Sequence, residues 1–229
     1  MAKGFEQNQK QPISALIATP ALDGKVDAHY ASIVNQVSKL GVLNDIDITV
    51  CMLSYESILP MARNQLLTLA IEKNVDCMIF IDSDVGCDPK TLINIIKNPK
   101  DVIAVPTVKK NDAQEEYDFW FEDEKQFETI ENNLQSVNTV STSCLKLSKK
   151  SLQTLAKNSV DTYFRGNKIK NICQYDFEGE TFIGEDIFLC EKLRDLGFKI
   201  WIDFSSTCVH IGPKIYKGDY KKTVLNHVD

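Results

Sequence analysis

Two carboxylates stand one residue apart in Asp82-Ser83-Asp84, directly after the apolar run Cys77-Met78-Ile79-Phe80-Ile81. Acids this close repel one another unless something positive lies between them. Hard oxygen ligands that leave positions open for phosphate suit a divalent cation, Mg²⁺ or Mn²⁺. Asp and Ser also form ordinary turns, and Gly86, Asp88 and Pro89 follow, so a plain turn is the competing reading. A second acidic pair, Glu185-Asp186, follows Gly184 at the start of a helical pattern. Asp186 fits a helix N-cap, where the dipole favours negative charge. A carboxylate kept ionised in that way also suits a general base. His210 ends a short apolar run beside Gly212, as one of three histidines in the chain. A neutral imidazole there could ligate a metal, the alternative being an ordinary loop histidine. Arg63 could steady a phosphate anion or be a surface cation.

These residues need elements to position them. The run before Asp82 is short and apolar throughout, as in a strand buried on both faces. Asp82 then sits at its carboxyl end, where open α/β sheets bind ligands. Pro12 to Pro20 predicts a first strand ending at Thr19 and Pro20. Val26, Tyr30, Ile33, Val34, Val37 and Leu40 share one helical face, with Gly41 placed just past the helix end. Asp47 to Leu53 reads as the next strand. Ser57 is expected to cap a helix with Pro60 in its first turn. Leu59, Ala62, Leu66 and Leu69 would face the core of that helix, with Arg63 and Asn64 beside the stripe. Pro89 opens a helix carrying Leu92, Ile95 and Ile96, and Val102 to Val105 reads as a strand. This alternation predicts an α/β fold with a mostly parallel sheet and helices on both faces. Right-handed crossovers bring Thr19, Pro20 and the Asp82–Asp84 turn to one edge.

The second half is less regular. A small hairpin is expected from Tyr117 to Phe121 and from Gln126 to Ile130. Val137 to Leu147 reads as one strand, followed by a helix over 148–157. Residues 160–183 read as a loop, long enough to be functional. The helix opened by Glu185 has a core stripe of Leu189, Leu193 and Leu196 and ends at Gly197. Phe198, Ile200 and Ile202 then alternate with polar neighbours, as in a strand.

Bulk properties narrow the class. The chain has 229 residues, 43% hydrophobic and 25% charged, enough to bury a full core in one large domain. Its formal net charge of −6 argues against a general nucleic-acid binder. Seven cysteines without a CxxC pair read as small buried hydrophobes in a reduced compartment, not as a disulfide frame or zinc site. No apolar h-region opens the chain and no run approaches a membrane span, so the expected location is the cytoplasm. Residues 1–12 are expected to be a disordered tail, 13–212 the domain, and 213–229 a basic tail that could close as a lid.

The order Asp82-Ser83-Asp84, Ser141 to Leu147, Tyr163-Phe164, Gly184-Glu185-Asp186, Leu193 to Trp201 and His210-Ile211-Gly212 resembles a GT-A fold glycosyltransferase of the compact family 2-like type. Met61 to Leu67 is similar to that group as well. The resemblance implies a Rossmann-like α/β/α sandwich with an acceptor-side hairpin. It implies transfer of a hexose from a nucleoside-diphosphate sugar, UDP-linked by preference, to a hydroxyl on a glycan or similar acceptor. In its terms Asp82-Ser83-Asp84 is a DxD motif. Asp84 ligates Mn²⁺ or Mg²⁺, Asp82 faces the ribose or a metal-bound water, and His210 completes the metal site. Asp186 is the general base of an inverting reaction, and Glu185 orients the acceptor. Thr19 and Pro20 cradle the nucleotide, with Arg63 and Ser83 beside it. The competing functions are a nucleotidyltransferase on the same carboxylates and a non-catalytic nucleotide-sugar binding module.

Overall fold

The computed structural model describes residues 11–121 and 130–228. Residues 1–10 of the expected tail therefore lie outside the described residues, as do Gln126 to Thr129 of the expected hairpin.

One mixed sheet of eight strands organises the chain. Its first half is built from β1 (Ile13–Ala21), α1 (Ala28–Val42), β2 (Ile46–Ser54), α2 (Leu59–Glu72), β3 (Cys77–Ile81), α3 (Pro89–Lys97) and β4 (Val102–Ala104). The second half adds β5 (Ile130–Glu131), β6 (Leu134–Val137), β7 (Cys144–Ser148), α4 (Lys149–Lys157), α5 (Glu185–Asp195), β8 (Ile200–Asp203) and α6 (Tyr220–Val228). The strand order is β2-β1-β3-β7-β4-β8-β6-β5. β1 runs parallel to β2 and β3, and β4 runs parallel to β8, while β7 and β6 run against their neighbours. Most strands thus share one direction, as in a Rossmann-like sandwich.

Alternation along the strands divides the core between the two faces. Leu16, Ala18, Met78, Phe80, Leu145 and Leu147 point to the layer made by α2, α4, α5 and α6. Ala15, Ile17, Cys77, Ile79, Ile81 and Ile103 point to α1 and α3. Because both faces are covered, β3 is buried at every residue, which is why its sequence is apolar without a break.

Several expectations need correction. Gly41 lies inside α1, buried in its last turn rather than beyond it. A Cβ there would come within 2.7 Å of Ile48 Cδ1, so close packing against β2 requires the glycine. Ser57 does not cap α2; Ile58 holds the N-cap position, and Glu56 Oε1 accepts the Ile58 N–H at 3.1 Å. The single strand expected over 137–147 is three: β6, a short strand Thr139–Val140, and β7 after a turn at Ser141–Ser143. Phe119–Trp120 pairs with Thr139–Val140. Residues 160–183 form two hairpins, Asp161–Phe164 with Asn167–Lys170 and Asp176–Glu178 with Thr181–Ile183. The first turns through Arg165 and Gly166, both at positive φ.

The core continues past residue 212. Ile215–Tyr216 joins Val85–Gly86 and Val209–Ile211 in a small sheet. In α6, Tyr220 and Val224 are buried in the main core, and Tyr220 donates its hydroxyl to Gln135 Oε1 at 3.1 Å. Among the described residues no helix is long and apolar enough to cross a membrane.

Candidate active site at the strand ends

The Asp82–Asp84 turn follows β3 and is held by the backbone on four sides. Asp82 N–H donates to Ser143 O at 3.1 Å and Val85 N–H closes the turn on Asp82 O at 3.1 Å. Asp27 N–H donates to Ser83 O at 2.8 Å, and Ile211 N–H to Asp84 O at 2.8 Å. Because His210 pairs with Val85 across the small sheet, the same ladder carries the histidine to the acidic turn.

His210 and Asp84 face one another. His210 Nε2 lies 3.5 Å from Asp84 Oδ1. The other ring nitrogen, Nδ1, lies 3.2 Å from Val108 O. A carbonyl only accepts, so Nδ1 carries a proton and Nε2 is left toward the carboxylate. A proton donated by Nε2 or a cation bridges this ring nitrogen and the carboxylate oxygen. Metal–ligand bonds of about 2.1 Å place adjacent octahedral ligands about 3 Å apart, so these two atoms fit a hard divalent ion with a small closure. Lys110 Nζ meets the second oxygen, Asp84 Oδ2, at 2.5 Å. Burial works to raise the Asp84 carboxyl, but the contacts from His210 and Lys110 outweigh it and hold the carboxyl at about 2.

Asp82 has its own partner. Arg63 on α2 donates Nη2–H to Asp82 Oδ1 at 2.7 Å and stacks over the Phe80 ring at 4.8 Å. The reading of Arg63 as a surface cation is therefore wrong: the side chain is 2% exposed. Among the described residues its Nε and Nη1, both shielded from solvent, have no hydrogen-bond partner, and buried donors of that kind are costly to leave unpaired. Asn64, the next residue, is also buried, and its Oδ1 accepts the N–H groups of Ile172 and Cys173 at 2.9 and 2.7 Å. It fastens α2 to the segment leading into the second hairpin.

Pro20, Glu56, Arg63, Asp82, Ser83 and Asp84 line one cleft at this edge. Thr19 is adjacent in β1, but its side chain points away, buried and bonded to the Tyr30 hydroxyl at 2.5 Å. Glu56 was not foreseen. Its side chain is buried yet pairs with Arg165 Nη1 at 3.4 Å, from the tip of the first hairpin.

The second acidic pair lies across Arg63. Gly184, not Asp186, is the N-cap of α5, and both acids occupy the first turn. Asp186 Oδ1 folds back to accept Ile187 N–H at 2.8 Å. Burial raises the Asp186 carboxyl above its usual range, against the lowering influence of that backbone bond and of Arg63. Burial raises Glu185 too, and repulsion from Asp186 adds to it. Asp118 is a further acid that the sequence did not single out. Burial pushes its carboxyl up to about 6, opposed by His210 and Lys109 and assisted by the negative charges of Asp186 and Asp82. Groups whose environments push their pKa values apart are a mark of acid–base sites.

In sequence, no family model and no curated protein matches the chain. The fold has counterparts among solved structures. A197 from STIV superposes with a TM-score of 0.53 at 16% identity, over 87% of this chain and 86% of that one. GalNAc-T7, solved with UDP, GalNAc and Mn²⁺, gives 0.46 at 11% identity over 90% of this chain, which spans 45% of that one. An inositol-1-phosphate CTP transferase from T. maritima gives 0.45 at 13% identity, over 96% and 97%. The likeness to A197 shows the fold.

Proposed function

We propose that this protein is a metal-dependent glycosyltransferase of the GT-A type, moving a hexose from a nucleoside-diphosphate sugar to a hydroxyl on a glycan or similar acceptor. UDP is the preferred nucleotide and Mn²⁺ or Mg²⁺ the cofactor. The observation that carries this reading is the approach of Asp84 Oδ1 and His210 Nε2 to 3.5 Å at the end of a buried strand. Beside them the buried Arg63 guanidinium holds Asp82 at 2.7 Å. In this reading Asp84 and His210 hold the ion, and Asp82, fixed by Arg63, faces the ribose or a metal-bound water. A divalent ion held there would supply Lewis-acid charge toward the diphosphate. Arg63 holds Asp82 in place through Nη2 and adds a fixed positive charge beside the same anion. Pro20 and Ser83 shape the nucleotide cleft, while Thr19 holds the β1 end through Tyr30. Asp186 takes the proton from the acceptor hydroxyl as it attacks the anomeric carbon, and the bond to the diphosphate breaks on the opposite face, with inversion. Glu185 orients the acceptor.

The test is calorimetric titration of the full chain with UDP, GDP, UDP-glucose and UDP-galactose, in Mn²⁺ and then in EDTA, for wild type and Asp84→Ala. The expected result is binding of one nucleotide that needs the metal and is lost in the variant. Binding that ignores both EDTA and the substitution would remove the metal role from Asp84. No binding of any of the four ligands would remove the reading itself.

A further inference from the structure

Cys87, Cys144 and Cys208 come from three separate parts of the chain, yet their sulfurs lie within 4.8 Å of one another. Each lies on a segment that builds the candidate active site. Cys87 follows Asp84 by three residues, Cys144 follows Ser143, whose carbonyl accepts Asp82 N–H, and Cys208 precedes His210 by two. Their exposures are 4%, 0% and 0%, within the core layer that includes Ile81, Val85 and Val105.

A shared core position for three thiols is more than packing requires, since valine or alanine fills such a site without a reactive sulfur. Three sulfurs around one cation, with bonds of about 2.3 Å, stand about 3.8–4.0 Å apart, a contraction of under about 1 Å from the 4.8 Å limit found here. Among the described residues no histidine, carboxylate or fourth cysteine joins the group. Structural zinc sites are almost always four-coordinate, whereas thiolates also select copper(I) by softness. We propose that Cys87, Cys144 and Cys208 form a buried three-sulfur site for one thiophilic cation, copper(I) in preference to zinc(II).

Each sulfur that ligates as thiolate gives up its proton to solvent, and no electron is transferred. The site is closed, so the cation is taken up during folding or through local opening of the strand ends. Once bound, it ties the acidic turn, β7 and the His210 strand together, a role separate from that of the hard-ion site at Asp84.

The experiment is an anaerobic titration of reduced full-length protein with copper(I) held by a competing chromogenic chelator, with a parallel arm using zinc(II). The expected result is one copper equivalent withdrawn per chain, an ultraviolet thiolate-to-copper charge-transfer band, and a higher melting temperature. Asp84→Ala and Cys51→Ser should keep that equivalent. Cys144→Ser and, should that variant fail to fold, Cys208→Ala should lose it, with an affinity drop of at least tenfold. Retention of zinc but not copper would overturn the choice of cation. No retained equivalent of either metal in folded wild type, or equal retention in the Cys144 and Cys208 variants, would overturn the site and leave three core thiols.

Discussion

At the scale of single residues, each acid of the Asp82–Asp84 turn already has a cation. Arg63 answers Asp82 at 2.7 Å, and Lys110 answers Asp84 at 2.5 Å. The two cations differ in kind. Arg63 is buried and fixed, whereas both partners in the Lys110 pair are more than a third exposed, and exposed pairs contribute little. Lys110 therefore competes for Asp84 with an incoming cation. Lys110→Ala should tighten Mn²⁺ binding several-fold, read by the electron paramagnetic resonance signal of the free ion; weaker binding would mean that Lys110 helps to hold the ligand shell. Gly184 makes a second residue-level argument. Its φ of −69° is one that any residue adopts, but a Cβ would come within 2.8 Å of Asp186 Oδ1. Gly184→Ala should therefore push the folded-back carboxylate and lower turnover by about 10²-fold, in the range general-base catalysis supplies, with donor binding intact. Because burial raises the Asp186 carboxyl, the ionised base is lost as pH falls toward that raised value, so kcat should rise with pH. A Gly184→Ala enzyme with full turnover would take the base role away from Asp186.

At the scale of elements, β3 was legible because burial on both faces leaves an unbroken apolar run, and Asp82 at its end follows from that. The helices α1, α3 and α5 were legible from spacing. The burial of Arg63 was not: the sequence offers it as a candidate beside the phosphate, but a guanidinium within the buried part of α2 looks like a surface residue, and Asp82, far along the chain, explains why it is buried. The three cysteines were not legible either, because Cys87, Cys144 and Cys208 share no local spacing. The two hairpins between 161 and 183 escaped for a different reason. Their strands are exposed or half-buried at nearly every position, so no face writes a period into the sequence. The second hairpin leaves aromatic surface in solvent. Phe177 and Phe182 are 67% and 55% exposed, and Phe182 lies 5.3 Å from the Tyr175 ring and 5.6 Å from the Phe177 ring. Exposed aromatic clusters mark contact surfaces, and Tyr175 is within electrostatic reach of Glu185 and Asp186. Under the proposed function this hairpin would be the surface that meets the acceptor. Phe177→Ala together with Phe182→Ala should raise the acceptor KM about tenfold or more and leave UDP affinity unchanged in calorimetry. A change in UDP affinity alone would assign the hairpin to the donor instead.

At the scale of the whole molecule, the site concentrates negative charge that folding must tolerate. Asp82, Asp84, Asp118, Glu185 and Asp186 converge on a chain whose formal net charge is −6. Asp118 bears a measurable share of that cost. Burial is the main cause of its carboxyl being raised to about 6 from an unfolded value near 3.8, with Asp186 and Asp82 adding to it. A group raised in the folded state contributes its stability fully below the unfolded value and loses it as pH rises through the folded value. Below about pH 4 both states hold the proton and nothing is lost. Above pH 6 the folded protein carries the ionised acid at a cost on the order of 3 kcal/mol. Asp118→Asn should therefore leave the melting temperature near wild type at pH 4 and raise it by several degrees at pH 8, since about 2–4 °C corresponds to each kcal/mol at this chain length. The measurement is a pair of thermal melts in EDTA. Repeating them in saturating Mn²⁺ should shrink the gain at pH 8, because positive charge held near His210 favours the ionised Asp118. An equal gain at both pH values would mean that the Asp118 carboxyl titrates alike in the folded and unfolded protein, with no upward shift. An equal gain with and without Mn²⁺ would place the bound ion beyond the reach of Asp118, away from Asp84 and His210.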